Sequence, residues 1–245
     1  MSLLETRGLT KRFGGLVANQ TIDFRLEKGE LVGLIGPNGA GKTTFFNCIT
    51  GFYRPDEGRV FFRGRDVTGW SPERICRAGI ARTFQVVKTF RDMTVLENVM
   101  VGAFLRHPRP AAARAHAEAV LETTGLTHLA DVQAGGLPIA YRKRLELARA
   151  LATEPEVLFL DEAMAGLNPG EIQEAVAMVR RLWEQGLTIV LVEHVMEVVM
   201  PLAQRVVVLD YGQVIADDTP ERVAKDPRVI EAYLGERFAR QAREG

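Results

Sequence analysis

Cysteine is nearly absent from this 245-residue chain. Cys48 and Cys76 are its two thiols, with no Cys-x-x-Cys pair and no Cys/His cluster at metal-ligand spacing. That leaves two reduced cysteines of a cytosolic protein as the expectation. Net charge is also missing: 31 Lys and Arg balance 31 Asp and Glu, so the whole molecule has no pull toward nucleic acid or an anionic membrane, and only local clusters can argue for such partners. No stretch reaches about 18 uninterrupted apolar residues, which excludes a spanning helix. Charges break up the opening "MSLLETRGLTKRFGG", so no secretory signal is expected. A role at a membrane would have to be played from its side.

What is present is an ordinary globular composition, 47% hydrophobic and 25% charged, in a length that suits one large domain or a domain with a sub-lobe. The first third reads as short strands. "TIDFRL" alternates Ile22, Phe24 and Leu26, "ELVGLIG" (30–36) is a continuous apolar run ending in glycine, and "GRVFFRGRDV" reads as strand and turn. Ser71-Pro72-Glu73 marks a helix start, and Thr94-x-x-Glu97 is a capping box. From about 90 to 153 alanine-rich helical segments replace the strands. Strand–helix alternation then returns with "VLFLD" (157–161), a helix from about Pro169 to Gln185, "LTIVLVE" (187–193), "RVVVLD" (205–210) and "QVIAD" (213–217), before Thr219-Pro220-Glu221 opens a last helical region. The pattern is an α/β domain interrupted by a helical insert.

Between the strand at 30–36 and a helix stands "GPNGAGKTT": Gly36-x-x-x-x-Gly41-Lys42-Thr43, a P-loop in its expected strand–loop–helix setting. Glycines let backbone N–H groups converge on phosphate oxygens. Lys42 brings a point charge to the β/γ-phosphates, Thr43 offers a hydroxyl to Mg²⁺, and the helix dipole adds to both. Downstream, "EVLFLDE" puts Asp161 and Glu162 at the tip of an apolar strand. Asp161 suits the metal side and Glu162 the polarisation of an attacking water. An Asn-Lys-x-Asp base-reading motif is absent, which argues against a GTPase, and a small-molecule kinase would have no evident need for the second acid.

These elements resemble an ABC-transporter ATP-binding subunit, over the chain from Leu3 to about Leu234. "GPNGAGKTT" matches Walker A, "ARTFQ" the Q-loop, "LPIAYRKRLELARAL" the signature region, "VLFLDE" Walker B, "AGLNP" the D-loop, and Glu193-His194 the switch-histidine position. "ITGFYRPDEGRV", "MTVLENV", "AGLNPGE" and "VEHVMEVVM" further resemble the ATPase of branched-chain amino-acid importers, whose relatives handle urea, amides or aromatic acids.

The resemblance implies one ATP-binding domain over 3–236, a P-loop NTPase core with an N-terminal antiparallel β region and a helical subdomain at about 88–153, followed by a charged tail at 237–245. It implies that Gly36, Pro37, Asn38, Gly39, Ala40, Gly41, Lys42, Thr43 and Thr44 hold the nucleotide and that Phe13 stacks on adenine, although a core aromatic would also fit that position. Thr43, Gln85 and Asp161 would attend Mg²⁺, and Glu162, His194 and Gln85 would serve catalysis. Implied partners are a second ATPase subunit, identical or homologous, two transmembrane permeases and, indirectly, a solute-binding protein, with no nucleic acid. The implied location is peripheral, on the cytoplasmic face of the inner membrane. His107, His116 and His128 are expected to be solvated. Asn168 stands where the D-loop often has Asp.

One stretch departs from the family. Where relatives carry Leu-Ser-Gly-Gly-Gln or Leu-Pro-Tyr-Gly-Gln, this chain has Leu137-Pro138-Ile139-Ala140-Tyr141, followed by Arg142, Lys143 and Arg144 at a helix start. Cations at a helix N-terminus are disfavoured. Either an anion, the partner's ATP, faces them, or they are solvated with Arg142 paired to Glu146. If the loop needs positive φ at Ala140, the composite ATP site that it completes is the weaker of two, and Ala140→Gly raises turnover. A weakly hydrolytic regulatory subunit is the alternative reading of this departure.

Overall fold

The computed structural model describes residues 2–84, 87–193 and 196–234. The chain forms two compact units, Met1–Pro72 with Thr188–Gly245, and Glu73–Leu187. Elements are numbered in chain order.

In the first unit a long hairpin of β1 (Leu4–Phe13) and β2 (Leu16–Leu26) turns at Gly14-Gly15 and joins β4 (Glu57–Phe62) and β5 (Arg65–Asp66) in an antiparallel sheet of order β2-β1-β4-β5. The sequence reading missed β1 because charges interrupt its apolar residues. Those charges find partners: Glu5 bridges Arg7 and Arg25, Lys11 reaches Asp56, and Arg12 reaches Glu57. "TIDFRL" proves to be only the second half of β2.

β3 (Leu31–Ile35) pairs in parallel with β8 (Thr188–Val192) and with β9 (Arg205–Asp210), and β9 pairs antiparallel with β10 (Gln213–Asp218). Every residue of β3 and β8 is buried, as uninterrupted apolar runs in parallel strands require. A side chain at Gly33 would meet the Val199 Cγ1 at 2.2 Å, so glycine lets α7 (Met196–Val199) lie against β3. After β3 comes α1 (Lys42–Ile49), whose Phe45 packs edge-on against Phe24 of β2 with ring centroids 5.7 Å apart. The unit ends in the short α8 (Pro220–Val223).

The second unit begins with α2 (Pro72–Ala78), and its β6 (Ile80–Arg82) pairs in parallel with β7 (Val157–Asp161). Between these strands lie α3 (Val95–Ala103), α4 (Pro110–Thr123) and α5 (Ile139–Leu151), with short 3₁₀ turns at Thr127–Leu129 and Ala134–Gly136. Their shared core mixes Val95, Val99, Leu121 and Leu145 with small residues such as Ala113, Ala117 and Ala148. Small side chains let the helices approach closely. A Cβ on Gly102 of α3 would stand 2.4 Å from the Arg149 carbonyl oxygen of α5. After β7, α6 (Pro169–Glu184) closes the unit.

Candidate functional site

The phosphate cradle belongs to the first unit. Gly36, Gly39 and Gly41 have φ of 152°, 82° and 98°, in the left-handed region that L side chains avoid. Two of them are also sterically locked. A Cβ at Gly36 would lie 2.1 Å from the Leu209 carbonyl oxygen, and one at Gly41 would lie 2.4 Å from that of Ala18. Asn19 donates its side-chain amide to the Gly41 carbonyl at 3.1 Å, and Gly212 donates its N–H to the Ala40 carbonyl at 3.0 Å. The β1–β2 hairpin and the β9–β10 turn thus clamp the loop from two sides. Neither Asn19 nor Gly212 was found from the sequence, because each acts on backbone far away along the chain.

Lys42 is buried, and its Nζ donates to the carbonyls of Gly36 (2.6 Å) and Pro37 (2.9 Å). Gly41 caps α1 without any side-chain bond, and the first intrahelical bond runs from Phe45 N–H to Gly41 (2.9 Å). The N–H groups of Lys42, Thr43 and Thr44 therefore precede the helical ladder. Thr43, Asn38 and Gly39 are exposed, while Pro37 and Ala40 are buried. Backbone N–H groups at a helix start beside a buried lysine suit an anion. Phe13 is not a core residue. It is 43% exposed at the end of β1, edge-on to Tyr53 at 5.3 Å, and presents a flat ring outward.

The paired acids lie in the second unit. Asp161 ends β7, buried, with an oxygen 3.1 Å from the Arg82 guanidinium, and its N–H donates to the Thr83 hydroxyl at 3.1 Å. Burial pushes the Arg82 pKa down to about 10, although the group stays charged and holds the carboxylate in place. Arg82 and Thr83 form a supporting shell that no motif announced; only strand pairing brings β6 beside β7.

Glu162, the next residue, is half-buried with φ 46°. A glutamate held left-handed costs on the order of 1–2 kcal/mol. The Glu162 carbonyl accepts from Lys143 Nζ at 2.8 Å. Asn168 caps α6, its side chain accepting from Glu171 N–H (3.0 Å) while Glu171 accepts from Asn168 N–H (2.8 Å).

The signature region corrects two expectations. Ile139 and Ala140 are already helical, with Pro138 as an extended N-cap. Ala140 is not among the positive-φ residues, so the strain argument for a weakened site does not hold. The cations sit in the second turn rather than the first. They are also bound differently from the expected i,i+4 pair. Lys143 reaches Glu162, and Arg144 pairs with Glu174 at 2.7 Å. Glu146 accepts from Phe84 N–H at 3.0 Å. Arg142 bonds Pro138 through its own backbone N–H (3.0 Å), so the N–H groups of Ile139, Ala140 and Tyr141 open from the start of α5. Burial lifts the Glu146 carboxyl to about 7, against weaker pulls from Phe84 N–H and nearby cations.

Gln85 and His194 lie outside the described residues. His128 is exposed as expected. His107 and His116 are not simply solvated; both are half-buried, and their rings are 4.6 Å apart. Among the described residues, no helix is long and apolar enough to cross a membrane.

One unit thus carries a glycine cradle with a buried lysine, and the other carries two successive acids at a strand end. The family profile described as ABC transporter matches residues 19–165, and that of the branched-chain amino acid ATP-binding cassette transporters matches 213–239. The chain is 44% identical to the high-affinity branched-chain amino acid transport ATP-binding protein LivG of Escherichia coli, and 42% identical to the protein BraF of the same description from Pseudomonas aeruginosa. Each match covers 96% of this chain and 98% of the relative. A crystal structure of an ABC-transporter ATP-binding cassette in its ADP conformation superposes with a TM-score of 0.87 at 34% identity, covering 96% of this chain and 99% of the other. A nucleotide-free cassette gives 0.86 at 34% identity, covering 95% and 99%. The chain belongs to the family of ABC-transporter ATP-binding subunits and is an ATP hydrolase. Within that family its resemblance runs to the cassettes of branched-chain amino-acid transporters.

Proposed function

We propose that this chain energises an importer of branched-chain amino acids, by closing on a second ATPase subunit beneath two membrane permeases. The observation that carries the catalytic part is the pair Asp161–Glu162, one acid buried on an arginine, the next half-buried on a left-handed backbone. The solute class is supported by the names of the relatives and by the likeness at 213–239.

In this reading the N–H groups of the cradle and Lys42 bind the β- and γ-phosphates, and Phe13 stacks on adenine. Thr43 and Asp161, with Gln85, supply oxygen donors of the kind Mg²⁺ prefers. When bound, the ion would neutralise phosphate charge. Glu162 orients the attacking water and accepts its proton, and His194 contacts the γ-phosphate. The open N–H groups at the start of α5 face the γ-phosphate of the nucleotide held by the other subunit, completing its site. The chain would sit peripherally on the cytoplasmic face of the inner membrane, with a solute-binding protein delivering substrate on the far side.

The test is ATP turnover and solute uptake by the chain reconstituted with its permeases. Glu162→Gln should lower turnover at least about 100-fold while nucleotide still binds, and leucine, isoleucine or valine should stimulate the wild type. Equal turnover by both proteins would refute the role of Glu162. Stimulation by urea, an amide or an aromatic acid alone would refute the solute assignment.

A further inference from the structure

Three side chains that play no part in nucleotide chemistry converge in the second unit. His107 follows α3, with its backbone N–H bonded to Ala103 (2.9 Å). His116 lies in the middle of α4. Glu154 stands in the loop after α5, at φ 52°, with its N–H on Leu151 (2.9 Å). Arg106 anchors that loop by donating to the carbonyls of Thr153 (3.3 Å) and Arg77 (3.0 Å).

The His107 Nε2 is 2.5 Å from the Glu154 Oε1, and the His116 Nε2 is 3.7 Å from the same oxygen. One ligand atom from each residue falls within 4.8 Å of the other two. A tetrahedral ion with bonds of about 2.1 Å needs ligand atoms roughly 3.4 Å apart, a separation inside the range seen here.

A hydrogen bond between His107 and Glu154 accounts for that pair alone. It does not account for His116, whose Nε2 is buried with no hydrogen-bond partner among the described residues, a costly condition for a polar atom. We propose that His107, His116 and Glu154 form a binding site for a divalent transition-metal ion of the Zn²⁺ and Ni²⁺ type, with a fourth position left to water. Two imidazoles and one carboxylate favour such ions over Mg²⁺, which separates this site from the metal chemistry of ATP. Cys76 does not join them: the ligand atoms that lie within 4.8 Å of one another are those of His107, His116 and Glu154. The bound ion would tie the end of α3, the middle of α4 and the loop after α5 into one cross-link.

The experiment uses the full chain, free of any polyhistidine tag and without nucleotide. Equilibrium dialysis against Zn²⁺ should give one tight equivalent and a raised melting temperature, and Mg²⁺ at the same concentration should give neither. Co²⁺ should develop the visible absorption of a nitrogen- and oxygen-ligated ion. His116→Ala and Glu154→Gln should each weaken Zn²⁺ binding at least about 100-fold, because even the loss of an outer hydrogen bond to a metal ligand costs 10–100-fold. His128→Ala should bind as the wild type does. The proposal is overturned if the wild type takes up no Zn²⁺ at micromolar concentration, or if the folded double variant His107→Ala/His116→Ala retains the stoichiometry, the melting shift and the Co²⁺ spectrum.

Discussion

Among the described helices, α3 and α6 begin closed, while α1, α4 and α5 begin open. In α3 and α6, Thr94 with Glu97 and Asn168 with Glu171 form complete capping boxes, so the first backbone donors are satisfied within the helix itself. In α1, α4 and α5 no side chain caps the start, and no acid lies in the first turn. Two of these three, α1 and α5, are the helices to which nucleotide phosphate is assigned, and they reach the open state by different routes. α1 uses a left-handed glycine, with φ 98° at Gly41. α5 uses Pro138 in an extended conformation and enters the helix at once. An open first turn is therefore shared by both phosphate-assigned helices without being peculiar to them, and it does not require glycine.

Three experiments would break or sharpen that contrast. The largest effect is expected from Gly41→Ala, which must adopt positive φ and bring a Cβ against the Ala18 carbonyl. A loss of about 3 kcal/mol of stability, with nucleotide binding abolished, is the expectation in chemical denaturation and ATP titration. Wild-type values would show that α1 does not depend on its glycine.

Next comes Glu146, the sole acid of α5. Its folded carboxyl titrates near 7 against an ordinary 4.5. Between those values the folded chain holds a proton that the unfolded chain has released, so the contribution of Glu146 to stability falls as pH rises from about 4.5 to 7. Glu146→Gln keeps an acceptor for Phe84 N–H and removes that fall. At pH 8 it should gain on the order of 2 kcal/mol over wild type and show no gain at pH 4. A gain of equal size at both pH values would assign the effect to packing.

The smallest effect is that of Ala140→Gly. Because Ala140 is helical, glycine there should cost up to about 1 kcal/mol and leave turnover of the assembled transporter unchanged. A rise in turnover would mean that α5 needs the same backbone freedom as α1.

Much of the chemistry was legible in sequence because it is local. The spacing of Gly36, Gly41 and Lys42, the acids after "VLFL", and the Thr94–Glu97 box each act within one turn or one strand end. What escaped depends on packing between distant segments. Asn19 and Gly212 brace the cradle from β2 and the β9–β10 turn, and Arg82 reaches Asp161 only because β6 pairs with β7. His107 and His116 meet only when α3 and α4 fold together. The error at Ala140 had a different source: a family pattern rich in glycine was read as a loop, whereas proline followed by good helix formers starts a helix directly.

The left-handed backbone at Glu162 carries a consequence for the protein's mutational landscape. Asparagine and glycine tolerate that conformation better than glutamate does, so replacements that abolish the carboxylate are also the ones that relax the chain. In the proposed mechanism, thermal robustness and catalytic competence are set against each other at this position. With Glu162 in its proposed role, selection for heat resistance alone would drift toward an inert subunit.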